Sequence, residues 1–153
     1  MIRLVAFALA LLLALPATAQ ETREGHRVIA TEIPYAEFLP RLREAIRAEE
    51  MGLVTEAGPT EVAASRGVEI PGDRVLGVFR NDFAVRALRA SRASMIEAPI
   101  RFHVRETGEG AILAWKTPSH VFGPYLAEGG IQLAEVAAEL DAIFEAIAAR
   151  ATE

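Results

Sequence analysis

Three cationic side chains alternate along one predicted strand of the chain. Arg101, His103 and Arg105 are each separated by one residue, so in an extended strand they point to the same face of a sheet. Guanidinium groups bind carboxylates and phosphates through paired hydrogen bonds, and a protonated histidine adds a further donor. The spacing therefore predicts a face that binds a small anion, contacts a second subunit or is exposed to water, and the sequence leaves these three interpretations open.

A second set of candidates lies at the end of the next predicted strand and in the segment after it. Trp115, His120 and Tyr125 could line a pocket there, and an enzyme would use the loop 118–125. Ser119 directly precedes His120, which suggests a small hydrolase. However, neighbouring side chains on an extended chain point to opposite sides, and the sequence lacks the Gly-x-Ser-x-Gly nucleophile motif.

The residue types that bind metals are poorly grouped. The chain has three histidines and no cysteine, and His26, His103 and His120 lie in three different segments without ligand spacing. Met51 and Met95 are far apart and are typical of core positions. We therefore expect no metal and no cofactor, with a metal or small-anion carrier kept as an alternative.

Hydrophobic periodicity predicts the elements that position these residues. The pattern is β-α-β-β-α-β-β-α, with a small additional helix between the second and third strands. Hairpin-linked strands with helices between them favour an α+β fold, in which the helices pack on one face of an antiparallel sheet of about five strands. The predicted strands are 27–33, 53–57, 74–79, 100–105 and 111–116, and the predicted helices are 35–52, 60–66, 83–91 and 131–150.

Two details of this prediction bear on the site. Asn81 or Asp82 is expected to cap the helix that follows, and residues 117–130 are expected to form a connection interrupted by proline and glycine. The turn between the hairpin strands allows two registers. A three-residue loop would place Arg101 opposite Trp115, whereas a four-residue loop would place Phe102 there and give one continuous apolar face. Hydrophobic patterning favours the second register.

The first nineteen residues have the features of a secretory signal peptide. Arg3 is followed by an unbroken apolar run over 4–15 and by Ala17-Thr18-Ala19, a small-x-small site for cleavage before Gln20. The run is shorter than the roughly 20 residues of a membrane span. We therefore expect a signal peptide at 1–19, a flexible segment at 20–26 and one domain at 27–150, located in the bacterial periplasm.

The charge is acidic overall but unevenly distributed. The chain has a net charge of −5, and removal of Arg3 with the signal makes it −6. Between residues 74 and 105, however, seven arginines stand against Asp82 and Glu97. An acidic domain is a poor candidate for nucleic-acid or anionic-membrane binding, whereas its basic middle could contact an anion or a partner.

Three stretches of the chain resemble the bacterial family known as domain of unknown function 302. They are Gly52-Leu-Val-Thr-Glu56, then Arg74-Val-Leu-Gly-Val-Phe79 with the helix at 84–88, and finally 98–106 with Gly110 and Thr117-Pro118. The resemblance covers roughly residues 35–125. It implies a two-layer α+β domain similar to half of a TATA-box-binding protein, and a homodimer. It implies no activity, because the family supplies no catalytic or binding residues to transfer.

The sequence thus favours an exported soluble domain that is non-enzymatic and binds a partner. The expected partners are a second copy of the chain, an unidentified periplasmic protein or a small anion, with no nucleic acid and no membrane after cleavage. The alternatives are a small periplasmic hydrolase or other enzyme that uses the loop 118–125, and a metal or small-anion carrier.

Overall fold

The computed structural model describes residues 23–153, and the predicted signal peptide lies outside this range. Strands and helices alternate until a hairpin brings the last two strands together. The strands are β1 (His26–Thr31), β2 (Gly52–Ala57), β3 (Asp73–Phe79), β4 (Ile100–Thr107) and β5 (Gly110–Lys116). The helices are α1 (Tyr35–Ala48), α2 (Thr60–Ser65), α3 (Asn81–Ala90), α4 (Pro118–Phe122) and α5 (Leu126–Thr152), with 3₁₀ turns at Ala93–Glu97 and Gly123–Tyr125.

The five strands form one open antiparallel sheet in the order β1-β5-β4-β3-β2. The predicted α+β class with a five-stranded antiparallel sheet is confirmed. β4 and β5 lie in the middle of the sheet, and the first and second strands form its two edges. The central position of β4 determines which neighbours the alternating cations meet.

Helices α1, α3 and α5 pack together and form a layer over one face of the sheet. Apolar residues recur at helical spacing along α1 and α5, and this side of each helix is buried. Phe144 of α5 stacks on Phe102 of β4, with ring centroids 4.6 Å apart. The buried positions at this interface are Phe38, Leu42, Ile46, Leu76, Phe102, Val104, Leu113, Val136, Leu140, Phe144 and Ile147.

The predicted hairpin register is confirmed. Phe102 pairs with Trp115 and Val104 with Leu113, and both Phe102 and Val104 are fully buried. At the turn β4 extends two residues and β5 one residue further than predicted, because Thr107 pairs with Gly110. Since strand side chains alternate between faces, burial of these residues against the helices places the intervening cations on the opposite face.

The prediction that residues 117–130 form a connection interrupted by proline and glycine, before a last helix from about 131, is wrong. They form α4, a 3₁₀ turn and the first turn of α5. Thr117 caps α4, since its hydroxyl accepts a hydrogen bond from the amide of His120 at 3.3 Å, and Pro118 suits the first helical turn. Gly130 then breaks the helix direction with φ of 53° and ψ of −148°, a conformation that glycine adopts without a steric cost.

The predicted cap of α3 is also wrong. The helix begins at Asn81, Arg80 precedes it in an extended conformation, and no side chain caps it. The Asp82 carboxylate instead accepts a hydrogen bond from Arg80 Nε at 2.9 Å, and this bond lowers the pKa of Asp82. A local ion pair therefore replaces the capping interaction.

The helices that the structure describes include none that is both long and apolar enough to cross a membrane.

Candidate functional site

The sheet face opposite the helix layer carries the three alternating cations of β4. Arg101 and Arg105 are exposed, and His103 lies between them on the same face. We call this surface the open face. The structure therefore places the three predicted residues Arg101, His103 and Arg105 on one surface, although each has different neighbours.

Arg101 belongs to a row of basic residues that crosses three strands. Phe102 pairs with Trp115, so Lys116 lies beside Arg101, and Lys116 in turn pairs with His26 of β1. We call Arg101, Lys116 and His26 the basic row. Like charges on neighbouring strands repel each other, so this arrangement does not stabilise the sheet by itself.

His120 extends the basic row at the start of α4. Its ring centroid lies 6.5 Å from that of His26. Gly25 makes this approach possible, since a Cβ at that position would lie 2.0 Å from His120 Cγ. Nδ1 of His26 lies 3.0 Å from the carbonyl oxygen of Glu24, so it carries the proton and the other ring nitrogen stays available for a ligand.

His103 is held by an acidic neighbour, in contrast to the basic row. Its Nε2 lies 2.9 Å from Asp73 Oδ2. Across residues 23–153 no cluster of three or more histidine, aspartate or glutamate side chains has a geometry that could hold a metal ion. His26 and His120 are brought together, but His103 is not part of their group.

Arg101, Arg105 and Lys116 have no counter-ion among the side chains that the structure describes. Other exposed arginines also lack one, but these three share a single face. Cations nearer the helix layer do have partners, and the bonded pairs include Arg27 with Glu145, Arg86 with Glu139 and Arg150 with Glu49. The open face thus carries three cations without a salt bridge, although Asp73 lies opposite Arg105 on β3 and Glu97 lies beside the basic row.

Four small or aliphatic side chains lie next to the basic row on the open face. Val28 pairs with Ala114, and Ala30 pairs with Ile112. Each of these residues is two or four positions from the basic row along its own strand, so all four share its face. We call them the apolar patch. It is bordered by the basic row at one end and by His103 and Arg105 along β4.

The open face forms the floor of a broad groove of about 1380 Å³. One end is bounded by Glu97, His120, Val121 and Pro124, beside the basic row. The other end is bounded by the β4–β5 turn and by the end of β1, where Glu32 and Glu109 line it. The groove therefore has a basic end and an acidic end.

The structure places Trp115 at the edge of this groove. Its side chain is only 3% exposed and packs edge-on against Phe102, with ring centroids 5.7 Å apart, yet the residue also lines the groove. Its buried Nε1 donor has no acceptor among the described residues. Such an unpaired buried donor is rare, and because Trp115 pairs with the buried Phe102, its side chain lies on the helix side of the sheet.

Tyr125 does not line the groove, although the sequence places it among the pocket candidates. Its hydroxyl donates a hydrogen bond of 2.8 Å to Glu97, which does line the groove. This bond raises the pKa of Tyr125. Tyr125 therefore acts on the groove by fixing the position of Glu97.

Ser119 lies outside the groove and is bonded to α5. Its hydroxyl and its amide both donate hydrogen bonds to the carboxylate of Asp141, the amide at 2.9 Å. The adjacent His120 faces Gly25 and His26 instead. Ser119 and His120 are thus not arranged as a nucleophile and its base.

The sequence model of the family described as "Domain of unknown function DUF302" matches residues 26–147. The chain belongs to the DUF302 family. This confirms the resemblance inferred from the three sequence stretches. The matched range contains every residue of the basic row and of the apolar patch.

A crystal structure of an uncharacterized conserved DUF302 protein from Bacillus stearothermophilus has the same fold, with a TM-score of 0.73. The two chains are 19% identical, and the comparison covers 84% of this chain and 99% of that one. At this identity the likeness shows the fold alone. No curated protein matches this DUF302 chain.

The sequence did not identify Lys116, His26 or the apolar patch as parts of one site. Lys116 could have been found from the predicted hairpin register, since it follows Trp115 and is the neighbour of Arg101. His26 and Val28 could not, because no local pattern indicates that β1 pairs with β5 rather than with β2.

Proposed function

We propose that this DUF302 chain is exported and that its mature domain is a non-enzymatic binding module whose open face receives a small organic anion. The observation that carries the proposal is the basic row. Arg101, Lys116 and His26 lie side by side across three strands, with His120 at the end, and neither Arg101 nor Lys116 forms a salt bridge with a described side chain. A bound carboxylate or phosphate would supply the missing negative charge.

The surroundings of the basic row favour the interpretation that it binds a ligand over the interpretation that it is only hydrated. The chain as a whole is acidic, so unpaired cations gathered on one concave face run against its average charge. The groove in which they lie also has an acidic opposite end. A negatively charged molecule would therefore be attracted to one end and repelled from the other, which fixes its orientation.

The bonding of Ser119 favours binding over hydrolysis. Its hydroxyl is bonded to Asp141 outside the groove, so the hydrolase alternative would need a nucleophile other than the one its sequence suggests. The carboxylate of Asp73 is likewise paired with His103. The Ser119 hydroxyl is therefore accounted for by a structural bond, and His120, the base candidate, lies against Gly25 and His26 instead.

Titration of the purified mature protein with anions tests the binding proposal. Trp115 is the only tryptophan and lines the groove, so its emission is expected to change on binding. Phosphate, citrate and octanoate are added at constant ionic strength, with glycerol and choline chloride as matched controls. We expect at least one anion to saturate with a dissociation constant of about 1 mM or lower, and binding to weaken as salt is added. Absence of saturable binding by all three anions would contradict the proposal.

Export is tested by the mass of the protein isolated from a cell fractionation. We expect the chain in the periplasmic fraction to begin at Gln20, with the loss of residues 1–19. A variant with Ala17 and Ala19 both replaced by arginine removes the small residues that signal peptidase requires and is expected to accumulate uncleaved. If the unmodified protein is found in the cytoplasm with residues 1–19 still attached, the export proposal is wrong.

A further inference from the structure

The geometry points to an amphipathic ligand: we infer that the anion bound at the open face is a medium-chain carboxylate, with its head at the basic row and its hydrocarbon body over the apolar patch. This inference rests on the proposed function and specifies the ligand class. It is argued from three separate features of the groove.

The first feature is the order of the side chains along β5. Lys116, Ala114 and Ile112 follow one another on the open face, and their partners on β1 are His26, Val28 and Ala30. Two basic residues are thus followed by two rows of apolar residues. A ligand that satisfies the basic row and also lies along the strands must place uncharged atoms over these rows.

The second feature is the length of this arrangement. Lys116 and Ile112 are four residues apart, which corresponds to about 14 Å along an antiparallel strand. Acetate or phosphate would occupy only the basic end and leave the patch in contact with water. A medium-chain body would cover the patch and remove its apolar surface from water, which is favourable by about fourfold in affinity for each methylene that is fully buried.

The third feature is the charge at the two ends of the groove. Glu32 and Glu109 line the end opposite the basic row, where Arg105 lies beside Ile112, so the net charge of these three side chains is negative and disfavours a second carboxylate at the far end of the ligand. This favours a molecule with one charged end and one uncharged end over a dicarboxylate.

A chain-length series tests the inference. Acetate, butanoate, hexanoate and octanoate are titrated against the emission of Trp115, with octanol and octanedioate as comparisons. We expect affinity to rise about two- to fourfold per methylene from butanoate to octanoate. We expect octanol and octanedioate each to bind at least tenfold more weakly than octanoate, since the first lacks the head and the second carries a charge towards Glu32 and Glu109.

Substitutions in the apolar patch separate the contribution of the ligand's hydrocarbon body to affinity from that of its carboxylate head. In the double variant Val28→Thr with Ile112→Thr, both positions stay β-branched while the apolar surface becomes polar. We expect octanoate to bind at least tenfold more weakly and acetate to be unaffected. The control is Val54→Thr with Val62→Thr, the same chemical change at two exposed residues outside the groove, and it should leave both affinities within twofold.

Other results of these titrations would lead to different conclusions about the open face. If acetate or phosphate binds as tightly as octanoate, the amphipathic ligand is wrong while the anion-binding proposal stands. If no anion binds, both are overturned. If octanoate does not bind and the Val28→Thr, Ile112→Thr variant shifts the monomer–dimer equilibrium in sedimentation, the patch is the contact with a second copy of the chain, which also overturns the inference.

Discussion

Replacing Phe144 by alanine is expected to lower the free energy of unfolding by about 3–5 kcal/mol. The side chain is fully buried and stacks on Phe102 of β4 at 4.6 Å between ring centroids. Phe102 is in turn in edge contact with Trp115, so one ring of α5 supports the centre of the sheet. Its removal leaves a cavity between the two layers that their backbones cannot close.

Urea unfolding followed by circular dichroism measures this loss. Phe144→Leu retains much of the volume and should cost less than half as much. Ile131→Ala is the matched control on the same helix, because Ile131 is 72% exposed and its replacement should change the stability by about 0.5 kcal/mol or less. A loss below about 1 kcal/mol for Phe144→Ala would show that the two layers are not held together at this contact.

Reversal of two charges in the basic row is expected to weaken anion binding about a hundredfold or more. A unit charge pair 4 Å apart near a protein surface interacts by about 4 kcal/mol, and every 1.4 kcal/mol corresponds to about tenfold in affinity. In the variant Arg101→Glu with Lys116→Glu, two attractive contacts with an anion become repulsive. Both residues are exposed, so screening by solvent reduces the full effect but leaves a large loss.

The matched control reverses two arginines that lie off the open face. Arg41 and Arg66 are exposed and do not line the groove, so Arg41→Glu with Arg66→Glu gives the same change in net charge. Calorimetric titration with octanoate should show less than a twofold change for this control. If both double variants weaken binding equally, the anion responds to the net charge of the protein, and the basic row is not its site.

The alternation of residues along β4 was enough to predict one face of the site. Buried Phe102 and Val104 alternate with Arg101, His103 and Arg105, and a strand with one buried face has little freedom of register. The same reasoning predicted the pairing of Phe102 with Trp115. Local patterning therefore identified the central hairpin and the side of it that is open.

The rest of the site depends on contacts that no local pattern encodes. The pairing of β1 with β5 joins residues about ninety positions apart, and it alone brings His26 and Val28 beside Lys116 and Ala114. Likewise, Pro118, Gly123 and Pro124 indicate an irregular loop when they are considered separately. In the structure Thr117 caps a short helix there, and this helix sets His120 against Gly25.

The most direct test of the account is a map of the amide chemical shifts that change when octanoate is added to ¹⁵N-labelled mature protein. We predict that the largest chemical-shift changes occur at the basic row and at His120, with smaller changes along the apolar patch. The amide chemical shifts of α1 and α3 should not change. Changes confined to the helix layer, or no saturable changes at all, would contradict the assignment of the open face as the binding surface.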